Sequence, residues 1–303
     1  MSQEVKSEFR AGDSNRITRE YFDSLLIEMR HIDAELPDVR LVLYDEVFHT
    51  PIMTAALSHL DKFGHHEDGM AELARGAKAA GAVMWAGMGS ESELERIIET
   101  GAKTIKIVKP EADSDAIYRA LEHAERSGCI ALGMDLDHSF NRRGEYDLVD
   151  SIQMKSKTLD EVKQYVNAVK LPFIIKGVLS VQDAVKCLDA GVQGIVVSHH
   201  HGIMDYAVPP LMVLPKIAAA VGGKMPIFVD CGVNSGYDAF KALALGATAV
   251  SAGRILLGPL SKSGAEGVVS MIREMTAQLA GVMARTCSPN IANIDSSLIH
   301  VRS

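Results

Sequence analysis

The chain has 303 residues, of which 47% are hydrophobic and 23% charged, and its formal net charge is −8 at pH 7. This composition is typical of a globular protein with a large core, and the negative balance argues against a nucleic-acid partner. No apolar run is long enough to predict a membrane helix, the polar first residues do not resemble a signal peptide, and four cysteines without CxxC spacing predict reduced thiols in a cytoplasmic protein.

The first fifty residues predict an N-terminal helical extension rather than a separate domain, because no break in composition follows them. Apolar residues at helical spacing predict an amphipathic helix over residues 18–31, and residues 41–44 predict a short strand outside the main sheet. We expect residues 51–284 to form the body of this single domain, and residues 285–303 to form a polar tail.

From residue 51 onward, short apolar runs alternate with segments of helical length. Unbroken apolar runs are typical of buried parallel strands, and strand–helix alternation predicts a parallel sheet. The predicted strands are residues 51–56, 82–87, 104–109, 129–135, 172–177, 194–201, 226–232 and 249–254, with a long polar loop at 136–157 and a closing helix at 263–284. Eight such units favour an α/β fold of the (β/α)8 TIM barrel type. The alternative is an open doubly wound sheet, but no GxGxxG turn supports it.

Several polar side chains follow the predicted strands, at the end of a barrel that carries chemistry. Lys176 ends the fifth strand and can stabilise developing negative charge, although a lysine at a rim can also simply reach solvent. His199, His200 and His201 end the sixth strand. Neighbours in an extended chain point to opposite faces, so we do not expect the three to share a metal ion, and no metal is predicted. One of them can act as a general base, or all can be plain surface histidines.

Two carboxylates and a glycine-rich stretch complete this set. Asp135 and Asp230 end the fourth and seventh strands, where each can orient a histidine, bind a sugar hydroxyl or cap the next helix. Gly232 and the pair Gly253-Arg254 follow the seventh and eighth strands. Many barrels bind phosphate there, because glycine lets backbone N–H groups approach the anion and an arginine adds charge.

Residues 171–260 resemble the FMN-dependent 2-hydroxy-acid dehydrogenases and oxidases, a family that includes glycolate oxidase, lactate oxidase and flavocytochrome b2. The matching motifs are PFIIKG at 172–177, VSHHHG at 197–202, DCGVNSGYD at 230–238, KALALGA at 241–247 and the pair at 253–254. The joint match is specific, whereas the first half of the chain matches weakly, at residues 19–23 before the barrel and at residues 134–135 in the fourth strand.

The resemblance implies an FMN-binding barrel in which His200 is the general base, Asp135 holds it as imidazolium, and Lys176 stabilises the reduced flavin. The residues that it implies for cofactor binding are Thr54, Ala55, Lys106, Lys176, Ser198, Asp230, Gly232, Asn234, Gly253 and Arg254. Those that it implies around the substrate are Arg142, Arg143, His201 and Ile203.

Some positions depart from the family pattern. The arginine that binds the substrate carboxylate is Ile203 here, and an arginine that binds phosphate is Asn234. The tyrosine and glutamine of the third strand correspond to Val108 and Lys106. Because a charge-assisted hydrogen bond is worth roughly 1.5–3 kcal/mol, these changes affect the expected substrate more than the expected flavin.

The leading hypothesis is an FMN-dependent oxidoreductase that oxidises a small 2-hydroxy acid or a related alcohol, with hydride passing to flavin N5. One alternative keeps FMN but has a less acidic substrate, or a reductive or redox-neutral reaction. Another is a phosphate-binding aldolase or isomerase without flavin that uses Lys176, and a third is a degenerate barrel kept as a binding protein. The resemblance also implies a homo-oligomer, a tetramer or an octamer, with no nucleic-acid or membrane partner.

Overall fold

At the centre of the computed structural model, which describes residues 10–60, 64 and 66–302, lies an eight-stranded parallel sheet. Its strands are β1 (Ile52–Thr54), β2 (Met84–Ala86), β3 (Thr104–Val108), β4 (Ala131–Asp135), β5 (Phe173–Val178), β6 (Gly194–Val197), β7 (Ile227–Val229) and β8 (Ala249–Ala252). They follow one another in space in the order β1-β8-β7-β6-β5-β4-β3-β2. The Thr54 amide donates to the Val83 carbonyl (3.1 Å), and a bridge joins Leu57 to Ala86, which brings the two ends of the sheet together. The predicted TIM barrel is confirmed.

Helices surround the strands, and a side-chain cap sets where most of them begin. They are α1 (Ser14–Ser24), α2 (Gly69–Ala80), α3 (Glu91–Glu99), α4 (Ser114–Ser127), α5 (Leu159–Ala168), α6 (Val181–Asp189), α7 (Pro210–Val221), α8 (Gly236–Ala244) and α9 (Arg254–Ala284). Ser90 caps α3, and Thr158 caps α5 in a reciprocal arrangement with Glu161. Each of α2 to α8 connects two consecutive strands, as a parallel barrel requires.

The apolar core has two layers. One fills the barrel and includes Met53, Trp85 and Phe228, and the other lies between the strands and the helices. A hairpin of Leu41–Leu43 and Glu46–Phe48 adds Leu41, Leu43 and Phe48 to the inner layer. This hairpin lies at the amino end of the barrel, where the Tyr44 hydroxyl donates to the carbonyl that precedes β6. The opposite end is left for polar side chains.

The prediction of one helix over residues 18–31 is wrong in its second half. α1 ends at Ser24, and Leu25–Ile27 forms a strand that pairs antiparallel with Ile299–Val301. The predicted polar tail therefore returns to the N-terminal extension, and long-range pairing prevails over local periodicity. This pairing holds α1 beside the turn that follows β6, where its residues take part in the site described below.

Two further segments differ from the sequence-based expectation. The stretch predicted as a loop at 136–157 contains a 3₁₀ turn (Leu136–Ser139) and a small hairpin (Leu148–Val149 with Ile152–Gln153). The span Arg254–Ala284 consists of two helices that meet at the non-helical residue Gly264 (φ 56°, ψ −139°), so the closing helix predicted at 263–284 is preceded by a further helical segment that begins at Arg254. Within the described part of the chain, none of the helices combines the length and the apolar character needed to cross a bilayer.

Candidate active site

Two adjoining cavities open at the carboxyl ends of the strands. The larger has a volume of about 540 Å³ and the smaller about 220 Å³, and they share Ala56, Ser58 and His200. Lining the larger cavity are also Asn15, Arg19, Ala55, Leu57, Lys176, His201, Asp230, Cys231, Gly232, Val233, Asn234, Ser251, Gly253 and Arg254. The smaller cavity is completed by His59, Gly87, Met88, Ile107, Lys109, Asp135, His138, Val149 and Asp150. The imidazole of His200 thus lies where the cavities meet.

His200 is held from one side by two carboxylates. Its Nδ1 lies 2.7 Å from Asp137 Oδ1 and 3.2 Å from Asp135 Oδ1, and Lys176 Nζ lies 2.9 Å from the same nitrogen. Burial and the charge of Lys176 disfavour protonation, but the two carboxylates prevail, so the pKa of His200 is raised above 6.5. With Nδ1–H donating to a carboxylate, Nε2 is the nitrogen that can exchange a proton with a ligand.

Lys176 lies near the carboxyl end of β5, among three carboxylates. Its Nζ lies 3.0 Å from Asp135 Oδ1, 4.0 Å from Asp137 Oδ2 and 3.9 Å from Asp230 Oδ2. Burial alone would lower the pKa of this lysine, but the three neighbouring carboxylates raise it well above its usual value. Burial likewise raises the pKa of Asp135, which Lys176, His200 and Lys109 together bring far below 3.8. The carboxylates therefore favour the charged form of Lys176, which lines the larger cavity.

A second histidine faces the first. His138 Nε2 lies 3.1 Å from His200 Nε2, and His138 Nδ1 lies 3.3 Å from Asp147 Oδ2. Burial and the positive charges of Lys109 and His200 lower the pKa of His138 to about 4. One proton must lie between the two facing nitrogens, and these pKa directions assign it to His200. A substrate hydroxyl that reaches His200 Nε2 must take the place of His138.

The turn after β6 has an unusual backbone. His200 (φ 47°), His201 (φ 55°) and Cys231 (φ 63°) all lie in the left-handed region that side chains disfavour. His199 differs from its neighbours, since it is buried and its ring contacts Thr18 Oγ1 (2.8 Å) and the Gly202 amide. His199 thus attaches the turn to α1. It is not a surface histidine, and both of its ring nitrogens already contact protein groups.

The larger cavity has the features that a flavin phosphate requires. Arg254 begins α9 at the cavity wall, and its guanidinium makes no hydrogen bond or ion pair with any other described residue. The first N–H groups of a helix lack intrahelical acceptors, which favours an anion at this point. At Gly232 (φ 89°) a Cβ atom would lie 2.9 Å from Thr18, so a side chain would disturb the wall. A free arginine, a helix start and a glycine wall fit the phosphate end of FMN.

The structure brings most of the predicted residues to these cavities. Lys176, Asp230, Gly232, Asn234, Gly253, Arg254 and Ala55 line the larger one, Asp135 lines the smaller one, and His200 lines both. Ser198 lies beneath, where its hydroxyl accepts from the His200 amide (3.0 Å). Thr54 accepts from the Trp85 amide (2.8 Å) and so joins β1 to β2 instead of lining a cavity.

Lys106 and Val108, which correspond in sequence to the family's glutamine and tyrosine, lie outside both cavities. Ile105 and Ile107 point into the barrel, whereas Val108 packs in the outer layer. Lys106 Nζ donates to the Gly87 carbonyl, and burial lowers its pKa. Successive strand residues alternate between faces, so a shift of one residue exchanges the two sets. The inward positions at the end of β3 belong to Ile107 and to the residue after the strand, Lys109.

The predicted substrate residues are dispersed. His201 lines the larger cavity beside Arg254, on the side assigned to the flavin phosphate. Arg142 and Arg143 are exposed in the segment after β4; Arg142 reaches the Gly202 carbonyl at 3.4 Å, and neither lines the two cavities. Ile203 lies in the turn after β6, where its amide donates to the His199 carbonyl.

The sequence analysis missed residues that the fold places in the site. Asp137 and His138 come directly after Asp135, and Lys109 ends the third predicted strand, so the position at a strand end was an available signal for all three. Asn15 and Arg19 come from α1, and Arg19 is fixed by ion pairing with Asp238 (2.9 Å). No sequence spacing connects α1 to a cavity at the far end of the barrel.

Comparisons with known proteins agree with this geometry. The family model for FMN-dependent dehydrogenases matches residues 3–158 and 141–301. Glycolate oxidase 1 from Oryza sativa subsp. indica is 28% identical over 322 aligned positions, covering 93% of this chain and 86% of the relative. L-lactate oxidase from Roseobacter sp. (strain GAI101) is 28% identical over 283 positions, covering 82% and 76%. A mandelate oxidase variant solved with the monooxide FMN adduct aligns with a TM-score of 0.86 and 26% identity, covering 96% of this chain and 92% of that one.

The barrel and the family match together make this chain a flavoprotein oxidoreductase. The chain belongs to the FMN-dependent dehydrogenase family, with FMN as its cofactor.

Proposed function

We propose that this protein oxidises a small 2-hydroxy acid to the corresponding 2-oxo acid, with His200 as the general base. The observation that carries the proposal is the position of His200, which lies between the two cavities with Nδ1 on Asp135 and Asp137 and Nε2 turned away from them. The relatives glycolate oxidase and L-lactate oxidase act, by their names, on acids of this class.

When bound, FMN supplies the acceptor for the two electrons and the hydrogen that leave the substrate carbon. The protein's part is to take the hydroxyl proton at His200 Nε2 and to stabilise the resulting imidazolium through Asp135 and Asp137. Lys176 faces both the carboxylates and the larger cavity, and its fixed positive charge stabilises negative charge that develops there.

The protonation state of His200 makes the activity depend on pH. Asp135 and Asp137 raise its pKa above 6.5 against the effects of burial and Lys176, so the base stays protonated to a higher pH than a free imidazole would. We expect kcat/KM to increase with pH through a value above 6.5. In Asp137→Asn the loss of one carboxylate lowers the pKa of His200, so this rise should move to lower pH. Stopped-flow reduction across a pH series measures it, and an unmoved profile would contradict the role of Asp137.

The proposal is tested by an absorbance spectrum of the purified protein, followed by anaerobic addition of single 2-hydroxy acids. Flavin bands that bleach with one short acid, accompanied by formation of its 2-oxo acid, are the expected result. A flavin-containing protein that no 2-hydroxy acid bleaches would favour the reductive or redox-neutral alternative. A protein that does not take up FMN would contradict the proposal and favour the alternatives without flavin.

The aldolase alternative finds no support at Lys176. A lysine that forms a Schiff base needs a lowered pKa to act as a neutral amine. The three carboxylates around Lys176 raise its pKa instead.

The family resemblance also suggests a homo-oligomer, a tetramer or an octamer. The segment of residues 29–36 exposes Met29, Ile32 and Leu36, and exposed apolar groups of this kind favour association. Light scattering after gel filtration measures the mass, and a monomer would exclude this. We place the protein in the cytoplasm, a proposal supported by its four free cysteines and tested by cell fractionation.

A further inference from the structure

This chain lacks the family's carboxylate-binding arginine, so another residue in the smaller cavity has to bind the carboxylate of an acid substrate. Ile203 occupies that sequence position, and it lies in the turn after β6 rather than in the cavity wall. Among the described residues that line the smaller cavity, Lys109 is the one lysine or arginine. Within the part of the chain that the structure describes, a charge-assisted bond to a substrate carboxylate there comes from Lys109 or from a histidine.

The register of β3 explains how Lys109 reaches this position. Ile105 and Ile107 point into the barrel, and residue 109 has the same parity, two positions beyond Ile107. The lysine thus takes the inward position at the strand end that the sequence comparison had assigned to Val108. Its side chain is only 11% exposed.

The hydrogen bonds of Lys109 leave room for a ligand. Its Nζ donates to Asp135 Oδ2 at 2.7 Å, and the same carboxylate accepts from Lys176 through its other oxygen at 3.0 Å. An ammonium has three donors, and a buried donor without an acceptor is costly. Asp135 is the one described carboxylate that pairs with Lys109, and it is shared with Lys176, so Lys109 keeps donor capacity for a ligand carboxylate.

We propose that Lys109 binds the carboxylate of the substrate, and that the substrate is a short-chain 2-hydroxy acid held in the smaller cavity. The proposal rests on the function proposed above and extends it to substrate recognition. The cavity volume of 220 Å³ equals that of about seven water molecules at ~30 Å³ each, which suits a small acid rather than an extended one. His200, in the wall of the same cavity, is then near the hydroxyl of a molecule anchored at Lys109.

The test compares binding of pyruvate with that of its neutral amide, pyruvamide, to the FMN-loaded protein. Perturbation of the oxidised flavin spectrum gives both dissociation constants without turnover. In Lys109→Met, pyruvate should bind about 10- to 150-fold more weakly, the effect of losing a hydrogen bond to a charged group, while pyruvamide binding should change little. The matched control is Lys103→Met, an exposed lysine just before β3 that pairs with Glu46, and it should leave both constants unchanged.

Equal weakening of pyruvate and pyruvamide in Lys109→Met would overturn the proposal, because it would assign the lysine a purely structural role on Asp135. Unchanged pyruvate binding would overturn it as well. Protection of Lys109 from acetylation by pyruvate, followed by mass spectrometry on the flavin-free protein, gives a second readout and is expected to be lost with pyruvamide. Lys109-dependent pyruvate binding in a protein that oxidises no 2-hydroxy acid would support the anion site and reject the proposed oxidation. Oxidation of a 2-hydroxy acid with the same KM in wild type and Lys109→Met would support the proposed oxidation and reject carboxylate binding by Lys109.

Discussion

Replacing His200 by glutamine is expected to lower kcat for 2-hydroxy-acid oxidation by about 10²- to 10⁴-fold, the usual contribution of a general base. Glutamine can still accept a hydrogen bond from a substrate hydroxyl but cannot take its proton. Flavin content and the folded state should remain, since His200 is partly exposed at the junction of the cavities. Single-turnover reduction of the flavin under anaerobic conditions measures the effect directly.

The matched control is His300→Gln. His300 pairs with Glu28 on the surface, in the strand pairing of the two ends of the chain. Its variant should reduce flavin at the wild-type rate. If His200→Gln also retained that rate, His200 would not be the base, and His138, the imidazole that faces it, would be the next candidate.

Replacing Lys176 by methionine is expected to lower the free energy of unfolding by about 3–5 kcal/mol, the cost of leaving a buried charge unpaired. The carboxylates of Asp135, Asp137 and Asp230 all lie within 4.0 Å of the lysine Nζ, and the lysine is 6% exposed. Lys109 would still compensate Asp135, but no other described ion pair remains for Asp230 or Asp137 apart from the contact of Asp137 with His200. Urea unfolding of the flavin-loaded protein, with flavin absorbance as a second signal, measures the loss.

Two further variants separate charge from packing. Lys163→Met removes an exposed lysine that lies 4.0 Å from Asp160, and its effect should be small, as for most surface ion pairs. Adding Asp137→Asn to Lys176→Met removes one uncompensated carboxylate and should recover part of the lost stability. A double variant as unstable as Lys176→Met would indicate that lost packing, rather than charge, explains the result.

The sequence was sufficient for the barrel and for half of the site. Buried strands and their helices carry local signals, and a parallel barrel brings all strand ends to one face. The sequence alone therefore predicts that one end of the barrel holds Lys176, Asp135 and His200. What made this possible is that each lies at the carboxyl end of its strand or within three residues of it, so that its position depends mainly on one element.

The remainder depends on contacts between distant segments. The strand Leu25–Ile27 looks helical by periodicity, and only its partner at Ile299–Val301 makes it extended. Lys106 lies in the middle of β3 and Lys109 directly follows the strand, and a shift of one residue decides which of them faces the cavity. Arg19 enters the larger cavity because α1 packs beside the turn after β6. None of these facts is encoded in a local pattern.

His200, His201 and Cys231 have a left-handed backbone, so substitutions that stabilise the fold at these positions would also change the cavity wall. Each such residue costs of order 1–3 kcal/mol, and the resemblance assigns glycine to two of these positions, 201 and 231. Stabilising the protein with family-consensus residues would place glycine at 201 and 231 and remove this backbone strain. It would also remove the imidazole and the thiol that distinguish this cavity wall from those of its relatives. His201 and Cys231, which differ from the family pattern, are therefore among the first residues that consensus design would replace.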